Sequence, residues 1–445
     1  MNSPVETVRE RASVGHTIEL IAKGTKAGST CNPALNDGPW NFDAKQAYGP
    51  GASQKDHIPA DAPRQGELPA LYREASVADL HDRIRAAKAT LGDRVVILGH
   101  FYQRDEIVQH ADFTGDSFQL ANAALTKPDA EAIVFCGVHF MAETARILAK
   151  PDQRVILPNL AAGCSMADMA DESSVEECWE QLTEIFGDLD TPDAEGKLPI
   201  IPVTYMNSSA ALKGFVGRHS GIVCTSSNAR IVLEHAFKIG HRVLFFPDQH
   251  LGRNTAKAMG VPLEQMPMWN PRRPLGANTP QELIDSKVVL WHGFCSVHKR
   301  FTVGQIEKAR AEYPGVQVVV HPESPMEVVD AADAAGSTDF INKYIAAAPA
   351  GATIAVGTEI NLVQRLAAEN PDKTIFCLDP VVCPCSTMYR IHPGYLAWVL
   401  DELVAGNVVN EITVAPAVAE PAKIALERML QAKPPANAAD AATKA

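Results

Sequence analysis

The sequence predicts an α/β protein made of three similar α/β/α sandwich domains with parallel sheets. Short apolar, β-branched runs alternate with amphipathic stretches, which is how buried parallel strands joined by crossover helices look in sequence. Ten such runs are too many for one sheet of ordinary width, so several smaller sheets are expected. A repeat in the spacing of polar residues then divides the chain into three.

In chain order the runs are residues 94–99 (RVVILG), 132–135 (AIVF), 155–157, 199–203, 221–223, 243–246, 288–290, 316–320, 353–356 and 374–376. Before them, the chain is rich in Gly, Pro, Ser and Ala, with clusters such as Asn36-Asp37-Gly38-Pro39 and no sustained period, so residues 1–80 are read as a flexible N-terminal extension. The domains are then expected at 81–198, 199–315 and 316–434, the last including C-terminal helices that close the structure. Residues 435–445 are expected to form a disordered tail.

The bulk properties narrow the function. At 445 residues and 46% hydrophobic, the chain can bury a large core. A formal net charge of -13 argues against general attraction to nucleic acid or anionic lipid. Glu6, Arg9, Glu10 and Arg11 precede any apolar stretch, unlike a secretory signal, and no run approaches the ~18 apolar residues of a membrane span. A soluble cytoplasmic protein is the expectation. Nine cysteines in so long a chain suggest metal or redox chemistry at a few positions rather than a disulfide scaffold.

The repeat begins where three strands end in a polar pair with one residue between its members: His100 and Tyr102, Tyr205 and Asn207, His321 and Glu323. Each is followed by small hydroxyl residues, at Ser117, at Thr225 and Ser226, and at Ser337 and Thr338. A cysteine comes later: Cys164 is 64 residues after His100, Cys385 is 64 after His321, and Cys295 is 90 after Tyr205. The longer interval contains the proline-rich segment 259–287, which reads as an inserted loop. A further echo between anchor and cysteine appears at Val138-His139, Asp248-Gln249 and Thr358-Glu359, where the chain leaves a strand and enters a helix. In open α/β sheets, ligand-facing residues gather at such carboxyl ends of strands.

Three thiolates from three domains could hold zinc, but structural zinc usually draws four ligands from close pairs. In a four-iron cluster, three cysteines leave one iron open to water or substrate, and an open iron is a Lewis acid suited to dehydration and condensation. His100, Tyr102, Tyr205, His321 and Glu323 include groups able to move protons. The hydroxyls of Ser117, Ser226, Ser337 and Thr338, near expected helix starts, suit phosphate or carboxylate oxygens. Taken singly these residues have plainer readings: a buried apolar cysteine, a packed tyrosine, a helix-cap hydroxyl. A non-enzymatic iron-sulfur sensor and a hydro-lyase acting on another hydroxy acid remain alternatives. The acidic charge argues against the first, and a substrate assay separates the second. Glycines 214 and 217 lack the setting of a dinucleotide fingerprint.

The strings GHFYQ at 99, ADFTGDS at 111, AGCSMADM at 162, YMNSSA at 205, CTSSNA at 224, HGFCSVH at 292, HPES at 321, GSTDFI at 336, VGTE at 356 and CPCSTMYRI at 383 resemble the quinolinate synthase family, in order, across roughly residues 85 to 430. The resemblance implies three α/β domains around a pseudo-threefold axis and condensation of iminoaspartate with dihydroxyacetone phosphate. Water and phosphate are lost and quinolinate is formed for NAD biosynthesis. It also implies a 4Fe-4S cluster held by Cys164, Cys295 and Cys385 with one iron open, and functional coupling to the L-aspartate oxidase that makes iminoaspartate. Tyr102, Tyr205, His321 and Glu323 match its catalytic set, and His100, Ser117, Asn207, Ser226, Ser337 and Thr338 its substrate-binding positions. Cys383 competes with Cys385 as third ligand. The 64-residue offset favours Cys385, leaving Cys383 as an inert neighbour or a partner in a redox-sensitive disulfide.

Overall fold

The computed structural model describes residues 65–380 and 384–432. Strands β1 (Val95–His100), β2 (Phe113–Gly115), β3 (Ala132–Cys136) and β4 (Arg154–Ile156) form a first sheet in the order β2-β1-β3-β4. The second holds β5 (Leu198–Tyr205), β6 (Ile222–Cys224), β7 (Gly240–Phe246), β8 (Met268–Trp269) and β9 (Val288–Trp291) in the order β6-β5-β7-β9-β8. In the third, β10 (Gln317–Val320), β11 (Ala334–Ala335), β12 (Thr353–Gly357) and β13 (Thr374–Cys377) run β11-β10-β12-β13. Every pairing within these sheets is parallel. The three sheets therefore share one strand order, and the second adds an edge strand.

That extra strand comes from the proline-rich insertion: β8 pairs with β9, and Leu290 N donates to Pro267 O at 2.9 Å. Strands β2, β8 and β11 were not expected from sequence. Each is an edge strand of two or three residues, too short to show an apolar run.

The repeat persists in individual hydrogen bonds. Ile97 N donates to Asp112 Oδ2 at 2.7 Å, and Asp112 N returns a bond to Ile97 O at 2.8 Å. Val318 and Asp333 repeat both bonds at 2.7 and 2.8 Å. After each cysteine a one-turn 3₁₀ helix begins three residues on, at Ala167, His298 and Met388. The cysteine carbonyl accepts the N–H four residues ahead in all three: Asp168 at 3.1 Å, Lys299 at 3.0 Å and Tyr389 at 3.0 Å.

Helix Val77–Leu91 illustrates how local chemistry sets an element. Ser76 caps it through Asp79 N, Leu80, Ile84, Ala87 and Leu91 form its buried face, and Gly92 ends it at φ 55. It packs against helix Pro393–Val404. The packed chain thus begins before residue 81, a correction to the expected flexible extension. Gln65 is buried and accepts Leu160 N at 2.8 Å, and the Tyr72 hydroxyl donates to Asp401 at 3.1 Å. Residues 1–64 of that extension, the tail at 435–445 and Cys383 lie outside the described residues.

The C-terminal helices close the first two domains rather than the third. Pro393–Val404 covers the first domain, and Pro416–Gln431 packs on helix Ala210–Arg218 of the second. Glycines 214 and 217 make the second contact close: a Cβ at Gly217 would sit 1.9 Å from Pro421 O. The first two domains and these helices share one apolar core. The third sheet has its own, with Val319, Ile354 and Val356 on one face and Val318, Val320 and Ala355 on the other. Burial on both faces is what a parallel sheet requires. Among the described residues, no helix is long and apolar enough to cross a membrane.

Candidate active site

The strand order reverses beside the first strand of each sheet, where open α/β folds bind ligands at the carboxyl ends. The anchors stand there. His100 pairs with Gly115 and Tyr205 with Cys224 in register, while His321 follows Val320, which pairs with Ala335. Each cysteine lies in the loop after the strand that follows in order, β4, β9 or β13. These loops meet around a cavity of about 670 Å³, open volume at its mouth included, within the usual size of a small-molecule site.

Its wall brings together His100, Tyr102, Ser117 and Cys164 from the first domain, Tyr205, Asn207, Ser226 and Cys295 from the second, and His321, Glu323, Thr338 and Cys385 from the third. Ser337 is not part of that wall. It is the N-cap of helix Thr338–Ala347, its hydroxyl accepts Phe340 N at 3.2 Å, and the next residue, Thr338, lines the cavity. Thr225, noted in the second hydroxyl cluster, also lines it, as do Asp116, His298 and Thr387, which were missed from sequence. For His298 a signal existed in its spacing of three from Cys295. The equivalent positions after the other cysteines are Ala167 and Met388, so the repeat drew no attention to it.

A hydrogen-bond network crosses all three domains. The Tyr102 hydroxyl bonds with Thr358 Oγ1 at 2.7 Å and lies 3.3 Å from His298 Nε2. His298 Nδ1 meets Glu323 Oε2 at 2.9 Å, and the Tyr205 phenol donates to Glu323 Oε1 at 2.6 Å. His321 stacks on His298, ring centroids 4.4 Å apart. One ring nitrogen of His298 thus faces the Glu323 carboxylate and the other faces the Tyr102 phenol.

Burial dominates the electrostatics. It lifts the Tyr102 and Tyr205 phenols well above their usual range, helped by the Glu323 charge, so both remain donors. Burial also pushes His100 and His321 down to about 3, with Arg365 adding to the effect at the first and His298 at the second. At Glu323 burial acts upward, but the histidines and the bonds from His298 and Tyr205 outweigh it and hold the carboxyl ionised. Glu359 is raised by burial to about 7, and its Oε1 accepts Cys385 N at 3.1 Å.

The hydroxyls stand at helix starts. Ser117 opens helix Ser117–Leu125 behind the Asp116 cap, Thr338 opens Thr338–Ala347, and Ser226 lies in the turn before Ala229–Ile239. Backbone N–H groups at such ends favour anionic oxygens.

Cys164, Cys295 and Cys385 are free thiols. Burial raises all three. At Cys295 the Glu323 charge and then the other two sulfurs raise it further, and at Cys164 so does Cys385. Ionising three such half-buried sulfurs side by side is unfavourable alone, and a shared cationic metal group would offset the repulsion. The residues present therefore suit a cluster bound through three sulfurs. The Sγ of Cys295, a nitrogen of His298 and a carboxylate oxygen of Glu323 also lie within 4.8 Å of one another and could hold a single metal ion.

Fold and cavity together define a three-domain α/β protein whose candidate active site is assembled at the carboxyl ends of three parallel sheets. Comparison with known proteins gives the particular family. The model of the quinolinate synthetase A protein family matches residues 82–431, and the chain belongs to that family. It is 73% identical over 397 residues to the quinolinate synthase of Corynebacterium glutamicum, covering 89% of this chain and 98% of that one. The quinolinate synthase of Herpetosiphon aurantiacus is 54% identical over 361 residues, 81% of this chain and 94% of its own. That of Streptomyces coelicolor is 54% identical over 367 residues, 82% and 91% respectively.

Proposed function

We propose that this chain is a quinolinate synthase of NAD biosynthesis, joining iminoaspartate to dihydroxyacetone phosphate with loss of water and phosphate. The observation that carries the reading is the convergence of one thiol from each repeat on a cavity that also holds the Tyr102–His298–Glu323–Tyr205 network. Cys164, Cys295 and Cys385 would hold a 4Fe-4S cluster, which when bound supplies a Lewis-acidic iron free of protein ligands.

The remaining work falls to side chains. Ser117, Ser226 and Thr338 hold carboxylate and phosphate oxygens, with Asn207 and a neutral His100 as further polar contacts. Glu323, ionised and oriented from two sides, takes a proton from carbon. The Tyr102 and Tyr205 phenols donate to departing oxygens, and neutral His321 shares in passing protons across the site. Iminoaspartate is a reactive imine, which favours supply by an L-aspartate oxidase acting nearby in the cytoplasm.

The test is anaerobic purification with iron and sulfide counting, followed by a quinolinate assay on Cys164→Ser, Cys295→Ser and Cys385→Ser. Each variant is expected to lose cluster and turnover together. A variant that retains both removes its residue from the ligand set, and a parent chain that binds the cluster but forms no quinolinate ends the reading.

A further inference from the structure

The loop after β1 divides its backbone bonds between two domains. Its N–H groups are met within the first: Phe101 N by Gly115 O at 3.0 Å, Tyr102 N by His100 Nδ1 at 3.1 Å, and Gln103 N by His100 O at 2.9 Å. Its three successive carbonyls are met from the third. Arg365 Nη1 donates to Phe101 O at 3.0 Å, Asn361 Nδ2 to Tyr102 O at 3.3 Å, and Arg365 Nη2 to Gln103 O at 2.6 Å. Arg365 Nε also donates to Asp105 Oδ1 at 2.9 Å.

Asn361 and Arg365 are four residues apart on helix Ile360–Glu369 and share one face of it. Thr358, just before that helix, bonds with the Tyr102 hydroxyl. Tyr102 is thus gripped at its carbonyl and at its phenol by a domain to which its own chain segment does not belong. Phe101 and Tyr102 also pack on an apolar core of the third domain. Tyr102 packs on the core shared by the first two domains as well, so it sits at the seam of all three, and the loop that carries it is held toward the third domain by these bonds.

We propose that Arg365 is a positioning residue for the reaction, its guanidinium fork holding loop 101–103 so that the Tyr102 phenol stays within bonding range of Thr358 and His298. The inference rests on the reading of Tyr102 as catalytic. Two carbonyls and a carboxylate are served by three N–H vectors of one rigid plane, and a lysine ammonium keeps the charge without that geometry.

The experiment compares the full chain, loaded anaerobically, with Arg365→Lys, Arg365→Gln and Asp105→Asn. Four quantities are read: kcat and KM for quinolinate formation, iron and sulfide per chain, melting temperature, and amide exchange of residues 101–104. Both Arg365 variants are expected to lose about tenfold or more in kcat, as a misplaced catalytic group does, with KM, cluster content and melting temperature near the parent and faster loop exchange. Asp105→Asn should behave as the parent, since the carbonyl bonds remain. Parent-like kcat in Arg365→Gln, full recovery in Arg365→Lys, or a loss that follows cluster content or melting temperature would overturn the proposal. A parent chain without quinolinate synthesis would overturn the functional reading instead. In that case loop exchange still decides: faster in both Arg365 variants supports the clamp, and unchanged overturns it.

Discussion

Tyr205 and Glu323, anchors of the second and third repeats, are joined by a 2.6 Å hydrogen bond from phenol to carboxylate. Both side chains are buried, and the carboxylate's other oxygen is taken by His298 at 2.9 Å. Bonds to a buried charge are the strong ones, and removing one partner leaves the other poorly satisfied. The relationship ties two domains together at the point where the proposed chemistry needs a defined base.

Removing either partner should therefore impair turnover more than binding. Tyr205→Phe and Glu323→Gln are each expected to lower kcat by about 10²-fold, the usual contribution of a positioned acid or base, with smaller changes in KM. Because the two act as a unit, the double variant should be little worse than the poorer single one. Steady-state kinetics of the four proteins form the cycle, and fully additive losses would show that the residues work independently.

The close approach of helices Ala210–Arg218 and Pro416–Gln431 yields a stability prediction. A methyl at Gly217 would lie 1.9 Å from Pro421 O and 2.6 Å from its carbonyl carbon, whereas at Gly214 the nearest atom, Val418 O, is 3.1 Å away. Gly217→Ala has to push backbone apart and is expected to cost about 1–3 kcal/mol, in the range of core overpacking. Gly214→Ala, which gains helix propensity and needs only a small shift, should cost less. Urea unfolding of both variants checks the order, and equal midpoints would refute it.

Much of the architecture could be read from sequence because the repeat conserves distance. His100 and Cys164, like His321 and Cys385, are separated by the same number of residues, since the three helices and three strands between them come in the same order and at closely similar lengths. The second copy is longer by its insertion, which the prolines of segment 259–287 mark. Residues absent from the repeat were harder to see. His298 has no histidine counterpart in the other two copies, and Arg365 acts on another domain's backbone, which no local pattern records. Ser337 illustrates the overlap of two roles in one string: its hydroxyl caps helix Thr338–Ala347 while its neighbour Thr338 lines the cavity. The edge strands β2, β8 and β11 owe their existence to a neighbouring strand rather than to their own composition.

Acidification should weaken the fold through two neutral histidines away from the cavity, the half-buried His392 and the buried His110. His392 caps helix Pro393–Val404 by accepting Gly394 N on Nδ1 at 3.1 Å, a role open only to the unprotonated nitrogen. Burial, with Arg104 adding to it, lowers its pKa to about 4. His110 is buried and also held down to about 4, with His81 Nδ1 2.7 Å from its Nε2. The unfolded chain binds these protons near pH 6.5. Between about pH 6.5 and 4 the unfolded state therefore holds more protons than the folded one, so stability is fully present above that window and falls as pH drops through it. His392→Asn keeps a capping oxygen but cannot titrate. Its stability loss between pH 7.5 and 5.5 should be smaller than the parent's by about 1 kcal/mol, the linkage expected for one such histidine. Urea midpoints at the two pH values measure this, and an undiminished loss in the variant would mean that His392 takes up its proton as readily in the folded chain as in the unfolded one.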